Sequence, residues 1–281
     1  MLSYRHAYHA GNHADVLKHA VYTLILNYFR LKPTPFCVID GHAGAGQYNL
    51  NDTPARMHAE YRDGVARILG VSAPKLLQPY LQALEAHQSY SGELHSYPGS
   101  PALARSFLRP QDELILLELH PSDFAQLKQR YCRDRQIHLH RRDAYEGLPA
   151  LVPPRLRRGL LLLDPPYELK EDYHRIPELV TTLQNKWPTA CVVVWYPLLP
   201  GNPGAHLITR LKRSALPDLL QIELWTQSPE SARGLYGSGL IIHQPPWQLV
   251  AQLNELLPWL TTRLTQGSGA GWTVRALTAA R

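Results

Sequence analysis

The fold is decided by residues 160–167, which read Leu160-Leu161-Leu162-Leu163-Asp164-Pro165-Pro166-Tyr167. Four consecutive leucines predict a buried parallel strand, because such strands are covered on both faces and do not alternate polar with apolar side chains. The two prolines end the strand, since proline lacks a backbone N–H and favours extended geometry in the residue before it. We therefore expect Asp164 at the carboxyl end of the strand, which is the edge where open α/β sheets bind ligands.

An Asp-Pro-Pro-Tyr sequence at that edge suits a reaction at the exocyclic amine of a nucleobase. Such an amine is a poor nucleophile because its lone pair is delocalised into the ring. The Asp164 carboxylate and the Pro165 carbonyl are placed to accept hydrogen bonds from its two protons and so to orient the lone pair. Tyr167 offers a flat face for the base, a contact worth roughly 1–3 kcal/mol. The same residues also fit an ordinary Asp-Pro turn, so the motif alone does not decide.

Several separated motifs resemble known proteins. The Asp164–Tyr167 motif resembles the (Asp/Asn)-Pro-Pro-(Tyr/Phe) motif of S-adenosylmethionine-dependent amino-methyltransferases. The chain is similar to the RlmJ family in residues 1–6, 11–19, 40–46, 97–101, 118–123 and 245–247. Members of that family methylate N6 of an adenine in bacterial 23S ribosomal RNA. The resemblance implies a Rossmann-like, seven-stranded class I methyltransferase fold of the α/β class. It also implies S-adenosylmethionine as cofactor and 23S rRNA, protein-free or in an early assembly intermediate, as partner.

Length and composition fit a single α/β domain over residues 1–281, with 44% apolar residues to form its core. Within it we predict an N-terminal flap and helix (1–35) and an inserted helical subdomain (49–95). The net charge of +6 fits a polyanionic partner, although ordinary surfaces also carry such an excess. No apolar run reaches the roughly 18 residues that span a bilayer, and a signal-peptide pattern is absent at the start. We expect a cytoplasmic monomer without membrane contact, whose three cysteines are reduced thiols.

Four successive predicted strands each end in an acid. The strands 36–40, 113–119, 136–142 and 159–163 deliver Asp40, Glu118, Asp143 and Asp164. In doubly wound nucleotide-binding folds, the acid after the second strand accepts from the ribose hydroxyls, which is the role we predict for Glu118. Asp143 is then placed for the cofactor's adenine amine, and Asp164 for the reacting amine. Each acid alone could equally cap a helix.

The loop after the first predicted strand is rich in glycine, so its backbone can turn tightly and approach a ligand closely. It lacks the dinucleotide Gly-x-Gly-x-x-Gly pattern and the Lys-Ser/Thr of a phosphate-binding loop, which disfavours NAD and ATP. The family resemblance assigns this loop to S-adenosylmethionine, with His42 and Gly44 among the contacts. Ser100 is predicted to cap a helix that starts at Pro101, and in the resembling family it also lies against the cofactor.

The N-terminal region combines an amphipathic helix, predicted over residues 15–29, with a preceding aromatic and cationic cluster. Lys18 lies three residues after Asp15 and can share its face. His9 and His13 have a metal-ligand spacing, but no third ligand or nearby cysteine supports a metal site. The cluster could also be a solvated tail.

The family resemblance favours a flap over the active site, with Tyr4 and His6 near the target base and Lys18 and His19 near the methyl donor. The residues predicted for catalysis are Tyr4, His6, Lys18, Asp164, Pro165 and Tyr167. Those predicted to bind the cofactor are Lys18, His19, His42, Gly44, Ser100, Glu118, Asp143 and Asp164. No metal ligand is predicted.

The remaining chain predicts strands over 191–196, 219–226 and 234–243, the last of them antiparallel, and a tail without chemistry from residue 265. Arginines cluster at 130–142 and again at Arg155, Arg157 and Arg158, just before the strand that carries Asp164. Arginine contacts to phosphate position RNA without reading its sequence. Two other functions stay open: an amino-methyltransferase acting on DNA adenine or protein glutamine, and a non-catalytic RNA-binding module.

Overall fold

A computed structural model describes residues 5–88 and 94–279. Within these residues the chain forms nine α-helices and ten strands. The helices are α1 (His13–Arg30), α2 (Thr53–His58), α3 (Gln78–Glu85), α4 (Ser100–Phe107), α5 (Pro121–Tyr131), α6 (Ala144–Leu151), α7 (Asp172–Lys186), α8 (Gly204–Arg213) and α9 (Leu249–Leu264). The strands are β1 (Cys37–Asp40), β2 (Gln47–Asn49), β3 (Ser96–Pro98), β4 (Glu113–Leu117), β5 (Ile137–His140), β6 (Gly159–Leu163), β7 (Ala190–Leu198), β8 (Leu219–Trp225), β9 (Gly237–His243) and β10 (Gly271–Ala276).

The main sheet has the order β10-β8-β9-β7-β6-β1-β4-β5. Its strands β5, β4, β1, β6 and β7 are parallel to one another, which is the first part of the Rossmann order. Strand β9 runs antiparallel to both β7 and β8, as predicted. The Rossmann-like α/β fold expected from the sequence is therefore confirmed.

The sheet contains an eighth strand in addition to the seven predicted. Strand β10 lies in the tail to which no chemistry was assigned, and it pairs antiparallel with β8 from Gly271 opposite Trp225 to Ala276 opposite Leu220. Trp272 and Val274 pack against the core from this edge position, although β10 is only partly buried. A half-exposed edge strand carries a weak hydrophobic pattern, so its pairing is visible only in the folded chain.

Two hydrophobic clusters cover the two faces of the sheet. In β6, Leu160 and Leu162 belong to one cluster and Leu161 and Leu163 to the other, and all four side chains are fully buried. Each such side chain contributes about 2 kcal/mol of burial free energy. Helices α1, α4 and α9 lie on the first face, and α6, α7 and α8 on the second. The continuous leucine run thus reports a strand that is enclosed from both sides.

The insertion after β1 contains two short strands that the sequence did not indicate. Strands β2 and β3 form an antiparallel pair of their own, at either end of the inserted segment. Between them lie α2, α3 and 3-10 turns at Glu60–Arg62, Val65–Ile68 and Lys75–Leu77, so the helices in the described part of segment 49–95 are short. The insertion packs against α1 through buried apolar side chains.

All three cysteines are free, as expected from their spacing. Cys37 and Cys191 are buried in β1 and β7, whereas Cys132 is exposed at the end of α5. Among the described residues, no helix combines the length and apolar character needed to cross a membrane.

Candidate functional site

A cavity of about 400 Å³ opens at the carboxyl ends of the parallel strands. Its position follows from the topology, because β1 lies between β4 and β6 where the chain reverses its direction across the sheet. Of the residues predicted for catalysis or cofactor binding, Tyr4 lies outside the described part of the chain. The others all line this cavity: His6, Lys18, His19, His42, Gly44, Ser100, Glu118, Asp143, Asp164, Pro165 and Tyr167.

Asp164 lies directly after β6 and is paired with Lys18 of α1. Its Oδ2 is 2.5 Å from Lys18 Nζ, and the same Nζ is 2.8 Å from Asp15 Oδ1. Lys18 is buried, which by itself lowers its pKa, but the two carboxylates raise the pKa above its ordinary value. Lys18 also lies 5.6 Å from the centroid of the Trp195 ring. The cavity thus contains a fixed ammonium group shared by two carboxylates.

Asp15 is a site residue that sequence reasoning did not assign. Its side chain is 1% exposed, and Oδ2 accepts from Gly11 N and lies near His6 Nε2, both at 2.9 Å. Burial raises the pKa of this carboxyl, but the charges of His6 and Lys18 outweigh burial and hold it well below the usual range. The sequence signal for this role is the spacing of three residues between Asp15 and Lys18, which places both side chains on one face of a helix.

His42 fixes the backbone at Asp164. Its Nδ1 accepts from Asp164 N at 3.2 Å, which requires a neutral ring with its proton on the other nitrogen. Burial lowers the pKa of His42 to about 4, although Asp164 and Asp143 act in the opposite direction. The histidine of the glycine-rich loop therefore connects β1 to the end of β6.

Asp40 differs from the other three predicted acids because it does not line the cavity. It is fully buried, and its Oδ1 accepts from His42 N at 3.1 Å. Burial raises its pKa to about 7, against the effect of hydrogen bonds from Ser100 and His42 N. Among described residues, Asp40 Oδ2 has no hydrogen-bond partner.

Ser100 does not cap α4, contrary to the prediction. Gly99 is the N-cap residue and Ser100 is the first helical residue. No side-chain hydrogen bond caps this helix start. Ser100 still lines the cavity, as the cofactor prediction required.

Glu118 and the glycine-rich loop form one unit. Gly44 N donates to Glu118 Oε2 at 2.8 Å and His120 N donates to Oε1 at 2.6 Å. A carboxylate has about four acceptor positions, so capacity remains for two ligand hydroxyls. Gly44 has φ +59°, and a Cβ there would lie 2.2 Å from the Tyr48 hydroxyl oxygen, so the loop needs glycine at this position.

Asp143 has both of the roles considered from sequence. Its Oδ1 accepts from Tyr145 N at 2.8 Å and so caps α6, while the residue also lines the cavity. Next to it, the Tyr145 hydroxyl donates to Asp172 Oδ1 at 2.6 Å, and the Arg175 guanidinium lies 3.7 Å from the centroid of the Tyr145 ring. These three cavity residues were not predicted, because no sequence pattern connects α6 with α7.

Tyr167 adopts a positive φ of +52°, which is costly for a residue with a side chain. Its hydroxyl donates to Trp195 O at 2.7 Å, and its ring centroid is 4.6 Å from that of Tyr173. The residue is 9% exposed, so one ring face is packed and only a small part of the ring reaches the cavity. Packing in the protein therefore holds the turn after Pro166 in place.

His19 contributes a neutral ring to the cavity wall. Its Nδ1 lies 2.6 Å from the Tyr97 hydroxyl, which in turn lies 2.7 Å from the Tyr80 hydroxyl. Burial lowers the pKa of His19 to about 3. The ring stacks on Tyr97 at 5.5 Å between centroids, so its orientation is fixed by β3 and α3.

Residues 5–12, which we call the N-terminal segment, are attached to the insertion. Glu60 accepts from His9 Nδ1 at 2.9 Å and from Asn12 Nδ2 at 3.0 Å, and Val65 N donates to Gly11 O at 2.8 Å. His13, the other histidine of the possible metal-ligand pair His9 and His13, is buried, and burial lowers its pKa to about 4. The two histidines therefore have different surroundings. No group of three His, Cys, Asp or Glu that could hold a metal ion occurs in ranges 5–88 and 94–279.

The second arginine cluster lies at the end of β6 opposite to Asp164. Arg155, Arg157 and Arg158 precede β6 at its amino end, and five residues of strand separate them from Asp164, about 17 Å. Arg155 pairs with Glu113 at 2.5 Å, and Arg158 lies 4.6 Å from the centroid of the Phe29 ring. From the first cluster, Arg142 does line the cavity.

Comparison with known proteins gives matches over nearly the whole chain. A family model described as "RsmJ: Ribosomal RNA large subunit methyltransferase D, RlmJ" matches residues 33–278. An Escherichia coli K12 protein named Ribosomal RNA large subunit methyltransferase J is 42% identical over 265 residues, 94% of each chain. The Haemophilus influenzae protein of the same name is 36% identical over 279 residues, 99% of each chain. A Legionella pneumophila crystal structure has TM-score 0.87 at 30% identity, covering 95% of this chain and 98% of that one.

Proposed function

Because the chain belongs to the RlmJ family of ribosomal RNA large subunit methyltransferases, we propose that it methylates N6 of one adenine in 23S ribosomal RNA, with S-adenosylmethionine as methyl donor. The observation that carries this proposal is the position of Asp164. It lies at the carboxyl end of β6, in the cavity wall, and is followed by Pro165, Pro166 and Tyr167. This arrangement combines a carboxylate, a rigid carbonyl and an aromatic ring, as an exocyclic amine requires.

The cavity fits the cofactor in its chemistry. S-adenosylmethionine carries a methyl group activated by a positively charged sulfur, together with a ribose and an adenine. We assign the ribose hydroxyls to Glu118 and the adenine amine to Asp143, since both acids lie in the wall and retain acceptor capacity. His19, His42, Gly44 and Ser100 complete the cofactor side of the cavity. Its buried carboxylates favour a ligand that is rich in donors and positive charge.

Asp164 acts on the acceptor amine. Its Oδ2 is engaged by Lys18, so we assign Oδ1 to one N6 proton and the Pro165 carbonyl to the other. The N6 lone pair forms a bond to the methyl carbon as the carbon–sulfur bond breaks, and the surplus N6 proton leaves to water afterwards. Proton loss after transfer does not need a strong base. Positioning of the amine by Asp164 is therefore its main contribution.

The target base enters next to the N-terminal segment. We assign His6, together with Tyr4 outside the described residues, to the target side of the cavity, and the exposed part of the Tyr167 ring to contact with the base. An adenine inside a duplex cannot reach such a pocket, so the substrate base is single-stranded or flipped out. Phosphate contacts from exposed arginines such as Arg142 predict an RNA affinity that falls steeply with salt.

The test is a comparison of acceptors with labelled S-adenosylmethionine. Protein-free, unmodified 23S rRNA, assembled large subunits, DNA and a protein extract are offered separately and in competition. Label in rRNA supports the proposal, and its absence from assembled subunits places the reaction early in ribosome assembly. Label only in DNA or protein would overturn the substrate. No label in any acceptor would indicate a non-catalytic RNA-binding protein.

A further inference from the structure

One buried carboxylate connects the N-terminal segment to the Lys18–Asp164 pair. Asp15 Oδ1 is 2.8 Å from Lys18 Nζ, and Oδ2 is 2.9 Å from His6 Nε2. Gly11 N donates to the same Oδ2 at 2.9 Å. Asp15 lies in the first turn of α1, so a rigid helix carries both this carboxylate and Lys18. Its two side-chain partners, His6 and Lys18, both line the cavity.

Asp15 restricts the position of the Lys18 ammonium, because it is one of two carboxylates that flank it. The Lys18 side chain is 4% exposed, and its ammonium lies between two carboxylates that are 1% and 14% exposed. A single buried pair of Lys18 and Asp164 would let the ammonium move fully toward Asp164. With Asp15 on its other side, the ammonium is held at a defined place, and one oxygen of Asp164 is directed by it.

We propose that Asp15 is a positioning residue for methyl transfer: its carboxylate fixes the Lys18 ammonium against Asp164 and fixes His6 of the N-terminal segment over the cavity. The kinetic part of this proposal rests on the proposed function, because it needs an RNA acceptor. The structural part does not. Asp15 itself lines the cavity, but its side chain is only 1% exposed and both its oxygens are engaged by protein groups, so we assign its effect to its two partners.

Asp112 provides a matched control. It is also 1% exposed, accepts from Phe36 N at 3.0 Å and Arg109 N at 2.9 Å, and pairs with the Arg109 guanidinium at 2.8 Å. Asp112 precedes β4, at the edge of the sheet opposite the cavity. Loss of its charge removes a buried carboxylate of similar surroundings without touching a cavity residue.

The kinetic test uses single-turnover methyl transfer with saturating cofactor and RNA. We expect Asp15→Asn to slow transfer by about tenfold or more, which is the size of effect typical for misplaced catalytic groups. Asp112→Asn should leave the rate within about twofold, since Asp112 lies at the other end of the sheet and its partners Phe36 and Arg109 do not line the cavity. In a Lys18→Met background the Asp15→Asn effect should shrink to under about threefold, because no ammonium remains to be positioned and only the contribution through His6 is left. An equal loss in both backgrounds, or none in the wild-type background, would overturn the proposal.

A second measurement needs neither RNA nor activity. Amide hydrogen exchange of residues 5–12 is compared between wild type, Asp15→Ala and Asp112→Ala. Asp15→Ala should accelerate exchange in this segment alone, because Gly11 N and His6 lose their acceptor. If Asp15→Ala does not fold, Asp15→Asn is measured instead, with a smaller acceleration expected. If wild type methylates no RNA, the proposed function fails, and unchanged exchange in the Asp15 variant would then separately overturn the positioning role.

Discussion

Buried carboxylates lie both where the parallel strands begin, here called the amino edge, and where they end, the carboxyl edge. Only at the amino edge are their hydrogen bonds satisfied by the protein. At the amino edge, Asp112 accepts from two backbone N–H groups and the Arg109 guanidinium, and Arg109 in turn donates to Lys32 O and Thr34 O. At the carboxyl edge, Asp15 and Asp164 share the ammonium of Lys18.

The carboxyl edge also holds Asp40, whose Oδ2 has no partner within the described ranges. Buried polar groups are normally hydrogen-bonded, so each exception needs an explanation. At the amino edge, the protein itself supplies the hydrogen-bond donors and the positive charge that Asp112 needs, and these charges stabilise the fold. At the carboxyl edge, carboxylate oxygens remain able to accept hydrogen bonds, and negative charge exceeds positive charge. A cationic ligand rich in hydrogen-bond donors would supply the missing donors and positive charge. Matched substitutions at the two edges separate stability from function.

The largest effect is expected for Asp164→Ala. Removal of the carboxylate that orients the amine should slow methyl transfer by at least about 10³-fold, or about 4 kcal/mol of activation free energy. Single-turnover label transfer measures this loss. Calorimetric binding of S-adenosylhomocysteine should change little in the same variant. A rate within tenfold of wild type would refute the role of Asp164.

At the amino edge, Asp112→Asn should lower the free energy of unfolding by about 3 kcal/mol, because Arg109 and two N–H groups lose a buried carboxylate. Urea denaturation measures the change. Cofactor affinity and transfer rate should stay at wild-type values. Weakened cofactor binding in this variant would show that the two edges are not independent.

The carboxyl edge should also be sensitive to acid. The folded-state pKa of His42 is about 4, below its unfolded value of about 6.5, so the folded state binds fewer protons than the unfolded state between these values. Its contribution to stability is full above pH 6.5 and is lost as pH falls toward 4, about 2 kcal/mol by pH 5. Urea unfolding at pH 7.5 and 5 should show a smaller acid loss in His42→Asn than in wild type. Equal losses would contradict the assignment.

The smallest effect compares the two ends of one strand. Glu118→Gln should weaken S-adenosylhomocysteine binding by about tenfold, since charge-assisted hydrogen bonds to hydroxyls are lost. Glu113→Gln, at the amino end of β4, removes an ion pair with the exposed Arg155 and should leave affinity unchanged. Isothermal titration calorimetry measures the S-adenosylhomocysteine affinity of both variants. Equal affinities of Glu118→Gln and Glu113→Gln would show that Glu118 does not bind the cofactor.

The sequence was sufficient for the parallel strands and for the residues that follow them. Continuous apolar runs such as Leu160–Leu163 report burial on both faces, and an acid or a proline marks where each run ends. The connectivity then places these ends at one edge. For this reason the predicted residues Glu118, Asp143 and Asp164 line a single cavity.

The features that sequence reasoning missed depend on long-range pairing. Strand β10 is defined by its partner β8, and the three-residue strands β2 and β3 only by each other. The role of Asp15 requires His6, Lys18 and Asp164 to converge from separate parts of the chain. Patterns within a short stretch of sequence do not show which distant residues come together in the fold. Phosphate contacts by Arg155, Arg157 and Arg158 stay a prediction, and the strand places these arginines at the opposite end of β6 from Asp164.

The central claim is that Asp164 directs the methyl group to an exocyclic amine. It is tested most directly by identifying the methylated nucleoside after reaction with protein-free, unmodified 23S rRNA, using nuclease digestion and mass spectrometry against authentic standards. The account predicts N6-methyladenosine from the wild-type protein and none from Asp164→Ala. A methyl group on a ring atom or on the ribose 2′-oxygen would contradict it, as would N6-methyladenosine formed at the wild-type rate by the Asp164→Ala variant.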